Sequence, residues 1–145
     1  MRSEELVCSP EPRHLRRELA EWIEGLLRDG EQVWYEWGGA GLESADCSGL
    51  VVYWARQMGL DCPRWTTADM LTWPALEGEP EPGDLALYRG HVAVVLSRGR
   101  VAGMSGGRRG MTVDEARQAG ARLRVFSTHL YRTDFQRFVR IPWAE

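Results

Sequence analysis

The 145 residues include three cysteines and three histidines, and one pairing between the two sets could make a nucleophile and its base. Cys47 stands in Asp46-Cys47-Ser48-Gly49, directly before Leu50, Val51, Trp54, Ala55 and Met58, which share one helical face. Asp46 suits the N-cap of that helix, and Gly59 can take the left-handed conformation that closes it. A cysteine on the first turn of a helix meets unpaired backbone N–H groups and the positive end of the macrodipole, which favour thiolate over thiol. The residues meant for the core begin only at Leu50, so packing alone gives no reason for a cysteine at 47.

A catalytic thiol calls for an imidazole partner. His91 opens a strand just after Gly90, with Val92, Val94 and Val95 as its buried residues, so its ring can be presented at a sheet edge or cleft. His14 belongs to the surface of an N-terminal helix, and His129 lies in the polar stretch 128–134, where a surface-loop role is expected. Cys8 and Cys62 have no base nearby in sequence and no helix start behind them, and are read as non-catalytic. An odd number of cysteines, without Cys-x-x-Cys spacing or histidines at zinc-finger intervals, argues against a disulfide scaffold or structural zinc. No metal and no cofactor is expected.

The elements that must hold these groups can be traced along the chain. After an N-terminal arm over 1–13, an amphipathic helix is predicted from His14 to Arg28, with Leu15, Leu19, Trp22, Ile23 and Leu26 as its apolar face and Arg13, Arg16 and Arg17 on its wet face. The aromatic, Gly-rich stretch 34–44 reads as a loop whose backbone passes close to something. A long Pro-rich loop spans Asp61 to Pro82, with a helical turn near Thr67 to Leu71. Apolar runs at Leu85–Tyr88, His91–Leu96 and Arg100–Met104 predict an antiparallel meander. Thr112 with Glu115 makes a capping box for a short helix ending at Gly120, and two last strands are predicted at Arg122–Ser127 and Phe135–Ile141. Helices first and strands second mean an α+β fold, one domain over 1–145, with the helices packed on a central antiparallel sheet.

Eighteen basic against twenty-one acidic residues leave a net charge of −3, with no basic stretch for a phosphate backbone, so nucleic acid is excluded as a partner. No apolar run is long enough to insert in a membrane, and the charged first residues predict no secretory signal peptide.

The residues also carry a resemblance. Asp46-Cys47-Ser48-Gly49-Leu50-Val51 resembles the nucleophile motif of the NlpC family of cell-wall cysteine peptidases, a papain-like fold. Tyr35-Glu36-Trp37-Gly38-Gly39, Pro63-Arg64-Trp65-Thr66-Thr67, Pro82-Gly83-Asp84-Leu85 and Gly90-His91-Val92-Ala93-Val94-Val95 are similar to four further motifs of that family, in the same order. The resemblance implies Cys47 as nucleophile, His91 as base and Tyr35 with its hydroxyl beside the nucleophile. It also implies a third polar residue twelve positions after the base, where this chain has Gly103. The orienting group must then be Ser105, His129, a backbone carbonyl or water.

The function this implies is a cysteine peptidase or amidase that cleaves an amide bond of the peptidoglycan stem peptide. Trp37, Gly38, Ser48 and Trp65 are expected in the substrate cleft, with Trp37 and Trp65, in loops flanking the nucleophile, as its walls. Trp22, Trp54 and Trp143 belong to the core or its rim, and Asp84 is read as a turn residue before a strand. The segment Tyr131-Arg132-Thr133-Asp134-Phe135 with Arg140-Ile141-Pro142 resembles the ends of small family members found in phage tail modules. That implies phage tail proteins as partners, cytoplasmic synthesis and delivery to the wall on a virion. The alternatives are a thiol transferase, and a catalytically weak assembly component of a phage-tail-like particle, the latter motivated by Gly103.

Overall fold

The computed structural model describes residues 12–41, 44–97 and 99–142. Helix α1 (Pro12–Arg28) starts with proline at its first position, where a missing N–H costs nothing. It buries Leu15, Leu19, Ala20 and Ile23. Arg16, expected on the wet face, is buried as well. It lies beside that apolar stripe, and its Nε sits 3.6 Å from a carboxylate oxygen of Asp84. Cys8 and Trp143 lie outside the described residues, as does the side chain of Arg13.

Helix α2 (Cys47–Gln57) and the short α3 (Thr67–Met70) follow, then the meander β3 (Leu85–Tyr88), β4 (His91–Ser97) and β5 (Arg100–Ser105). Helix α4 (Val113–Ala119) has the expected Thr112–Glu115 capping box and the Gly120 cap. Strand β6 (Arg122–Phe126) pairs with β5, whereas β7 (Phe135–Val139) returns to pair antiparallel with β3. Two very short strands in the stretch read as loop, β1 (Trp34–Tyr35) and β2 (Ser44–Ala45), extend the sheet beyond β6. The order is β2-β1-β6-β5-β4-β3-β7. Among the described residues no helix is long and apolar enough to cross a membrane.

Side chains alternate across the meander with the period of two that a pleated strand imposes. Leu85, Leu87, Val92, Val94 and Leu96 join Leu19, Ile23, Leu50, Val51 and Trp54 of the helices in the main core. Ala86, Tyr88, Ala93, Val95 and Val101 point the other way and are covered by Phe126, Tyr131, Phe135 and Phe138. The central strands are therefore buried on both faces, which is why they read as nearly unbroken apolar runs. The second cover comes from the C-terminal segment rather than from a helix.

Asp84, expected as a turn residue, is fully buried. Its carboxylate accepts two hydrogen bonds from Arg140, at 2.9 and 2.8 Å, and one from the backbone N–H of Glu81 at 2.7 Å. With Arg16 beside it, this carboxylate joins α1, the entry to β3 and the end of β7.

Candidate active site

Cys47 is the first residue of α2, and Asp46 is the N-cap, with extended backbone and a side chain that accepts from the Gly49 N–H at 2.7 Å. The same carboxylate does more than cap. Its second oxygen accepts the Gly38 N–H at 2.9 Å, and its first also accepts from Ser48 Oγ at 3.3 Å and from Arg64 at 2.8 Å. Arg64 further donates to Ser48 Oγ at 3.1 Å and to the carbonyls of Trp65 and Gly39, at 2.6 and 3.4 Å. The loop 36–39, the start of α2 and the stretch after Pro63 are thus tied to one carboxylate. Gly49 is the steric part of this device, because a Cβ there would overlap the carbonyl oxygen of Gly39. Only glycine lets the loop backbone lie directly on the cysteine-bearing helix.

The Cys47 thiol is partly exposed and receives backbone hydrogen bonds from Val92, the residue after His91, and from the first turn of its own helix. Those bonds favour the thiolate, but burial outweighs them and pushes the thiol up from its ordinary value, with the charge of Asp46 adding to the rise. The lowered pKa expected from the helix terminus is therefore reversed by desolvation. His91 moves the opposite way: burial, helped by the positive charge of Arg132 and opposed by Asp134, brings its imidazole down to about 4. Thiol and imidazole therefore both rest neutral.

The His91 value has a consequence for stability. The folded imidazole is held below its ordinary 6.5, so as pH falls the unfolded chain takes up the proton first. The contribution of His91 is full above about pH 6.5, declines from there to about pH 4, and is constant below. A shift of this size corresponds to about 3 kcal/mol. Denaturant unfolding should therefore show the wild type losing about that much more stability than His91→Gln between pH 7 and pH 4. Parallel curves for the two proteins would contradict it.

Cys47 and His91 line one cleft of about 410 Å³, together with Tyr35, Trp37, Arg108, Arg109 and Arg132. A second lobe of about 490 Å³ shares Tyr35, Trp37, Cys47 and Thr67 with it and adds Gly38, Ser48 and Arg64. Trp37 is 52% exposed, with the Arg109 guanidinium 5.9 Å from its ring centre. Tyr35 is raised to about 12 by burial and by the neighbouring Cys47 and Asp46, so its hydroxyl keeps its proton. Its ring needs Gly107, where a Cβ would overlap it.

The structure thus brings Tyr35, Trp37, Gly38, Cys47, Ser48 and His91 together and separates the rest. Trp65 packs edge-on against Trp73, at 4.9 Å between ring centres, against the main core and away from the cleft lining. Ser105 pairs with Arg122 at the end of β5. The His129 ring packs against Phe135 and Phe138, at 4.6 and 4.9 Å, within the aromatic cover that also holds Tyr131, and not on the His91 ring. Neither Ser105 nor His129 is the side chain found on the imidazole. His91 Nε2 lies 2.7 Å from the hydroxyl of Tyr131, a residue whose sequence context carried no sign of such a contact.

Comparison with known proteins bears on this geometry. A probable endopeptidase p60 of Listeria seeligeri is 34% identical over 73 residues, which cover 46% of this chain and 14% of that protein. The chain therefore spans a small part of the length of this curated relative. Among solved structures, NlpC2 from Trichomonas vaginalis superposes with a TM-score of 0.66 at 17% identity, covering 90% of this chain and 47% of that one. The NlpC/p60 domain of the peptidoglycan hydrolase SagA gives 0.58 at 20% identity, covering 84% and 98%. The peptidoglycan hydrolase RipB from Mycobacterium tuberculosis gives 0.57 at 22%, covering 90% and 67%. At these identities the likeness is one of fold, the papain-like α+β arrangement. The sequence itself supplies the closer relation: the model of the NlpC/P60 family matches residues 32–130, from the entry to β1 through the turn after β6, and this chain belongs to that family.

Proposed function

We propose that this protein is a cysteine peptidase or amidase that hydrolyses an amide bond in the stem peptide of peptidoglycan. The observation that carries the reading is Cys47 at a helix N-terminus in the same cleft as a buried, neutral His91. Sulfur of Cys47 adds to the amide carbonyl carbon while its proton passes to His91. The oxyanion is met by the backbone N–H of Cys47 and the Tyr35 hydroxyl, both from residues that line the cleft. The C–N bond then breaks, the imidazolium gives its proton to the leaving amine, and a thioester remains. Water, giving a proton to His91, attacks that thioester; the acid leaves and the thiol is restored. Trp37 offers an apolar wall for the substrate, with Arg109 over its ring. The descriptions of SagA and RipB as peptidoglycan hydrolases, and of the Listeria relative as a probable endopeptidase, support the substrate class. Carriage on a phage tail and action on the wall from a virion form part of this proposal and rest on the likeness of the C-terminal segment alone.

The test is digestion of purified peptidoglycan and defined muropeptides, with the new termini read by mass spectrometry. The expected products are two fragments that together have gained one water. Products joined to an added amine would assign a transferase instead. No product from walls of different stem composition would overturn the hydrolase reading.

A further inference from the structure

The imidazole of His91 has one ring nitrogen already engaged, and by a residue far along the chain. Tyr131 follows His91 by forty residues and belongs to a 3-10 turn, His129–Tyr131, yet its hydroxyl is 2.7 Å from Nε2. Packing holds it there. Its ring lies parallel to Phe126 with centres 3.8 Å apart and meets Tyr88 edge-on at 5.4 Å. The turn itself is fixed by Thr128, which accepts the Leu130 N–H at 3.1 Å, and by the Tyr88 hydroxyl, which donates to the His129 carbonyl at 2.6 Å. A second observation defines the space in front of the imidazole. A Cβ built on Gly103 would stand 3.3 Å from His91 Nε2, 3.3 Å from the Tyr131 hydroxyl and 3.2 Å from the Ala93 Cβ. A side chain at 103 and the phenol of Tyr131 therefore compete for one place, and the glycine leaves it to Tyr131.

We propose that Tyr131 is the positioning residue of this site: its hydroxyl oxygen accepts the Nε2–H of His91 and leaves Nδ1 to take the Cys47 proton. The inference rests on the hydrolase reading above for its place in the reaction and on the 2.7 Å contact for the partner; the tautomer follows from Nδ1 having to receive the thiol proton. In the step, the proton leaves Cys47 for Nδ1, Nε2 keeps its own proton, and Tyr131 keeps its phenolic one. Burial holds that phenol at about 12, so it is neutral throughout. A neutral orienter sets the ring without adding a negative charge beside it, in keeping with an imidazole that rests uncharged. The ground for regarding the site as catalytically weak, the missing polar side chain at Gly103, is thereby removed.

Tyr131→Phe deletes the hydroxyl and keeps the ring stack. We expect kcat on a muropeptide to fall about tenfold to a hundredfold with KM unchanged and melting near the parent. Gly103→His alone should lower activity by crowding the same place, whereas adding it to Tyr131→Ala should recover several-fold of what that single change loses. Nitrogen-15 spectra of the histidines, with His91 assigned by its loss in His91→Gln, give a readout that needs no substrate. At neutral pH the wild type should show Nε2 protonated and Nδ1 bare, and Tyr131→Phe should shift that balance. Parental kcat in a folded Tyr131→Phe protein overturns the proposal. So does a wild-type His91 protonated on Nδ1, whether or not the protein hydrolyses anything, which separates failure here from failure of the hydrolase reading.

Discussion

The Cys47→Ala protein is expected to fold like the parent and to hydrolyse wall peptide at less than about a thousandth of its rate. The large effect on chemistry follows from the proposed mechanism: without the sulfur no thioester forms, and His91 with the oxyanion donors can offer an external water only residual help. The small effect on folding follows from placement. Cys47 is only partly buried at the start of α2, outside the group of fully buried core residues, and alanine is the best helix former. The capping carboxylate of Asp46 and its four partners, Gly38, Ser48, Gly49 and Arg64, do not involve the thiol. Muropeptide turnover measured beside thermal unfolding checks both halves. A folded Cys47→Ala protein with parental turnover would remove the thiol from the reaction.

The largest loss of stability is expected from Asp84→Ala. Removing a buried charge from a partner that stays buried costs about 3–5 kcal/mol, and Arg16 is such a partner, whereas Arg140 reaches solvent and Glu81. Here the carboxylate is fully buried, Arg16 is buried beside it, and Arg140 spends two hydrogen bonds on it. For a domain whose total stability is about 5–15 kcal/mol, such a loss lowers the melting temperature by about 10 °C or more. Asp84 lies outside the cleft lining, so the variant assayed well below its melting point should keep its turnover. Urea midpoints for the two proteins decide it, and a change under about 1 kcal/mol would show that the arginines find other partners.

The features that can be read locally are those whose causes are local. Asp46 before an apolar helical face, the Thr112–Glu115 box and the three apolar runs of the meander each carry their signal within a few residues, and each element forms where that signal places it. The spacing to position 103 is also sound, since Gly103 pairs with Ala93 and faces the His91 ring. What the spacing cannot carry is that the group in front of the imidazole comes from another element. Tyr131 sits in a polar stretch with nothing to mark it, and its contact exists because β7 turns back to β3 and brings the segment before it across the sheet. Arg16 is hidden from a helical wheel for the same reason: its partner Asp84 enters from a distant turn. Trp65 has the composition of a cleft wall, but Trp73, eight residues on, draws it to the core. The thiol of Cys47 is a contest between two known effects, and only the folded structure shows that burial exceeds the helix terminus.

The aromatic cover over the second face of the sheet also bears on how the molecule comes into being. Synthesis delivers residues in order, and folding tends to follow it. Cys47, His91 and the meander all leave the ribosome before the segment that bears Phe126, Tyr131, Phe135 and Phe138. Until that segment arrives, Ala86, Tyr88, Ala93, Val95 and Val101 have no cover, and β3 presents an unpaired edge where β7 will later add. A chain without that segment exposes a sticky sheet face and an open strand edge together. The C-terminal segment closes that adhesive surface and brings the Tyr131 hydroxyl to the His91 ring in a single event.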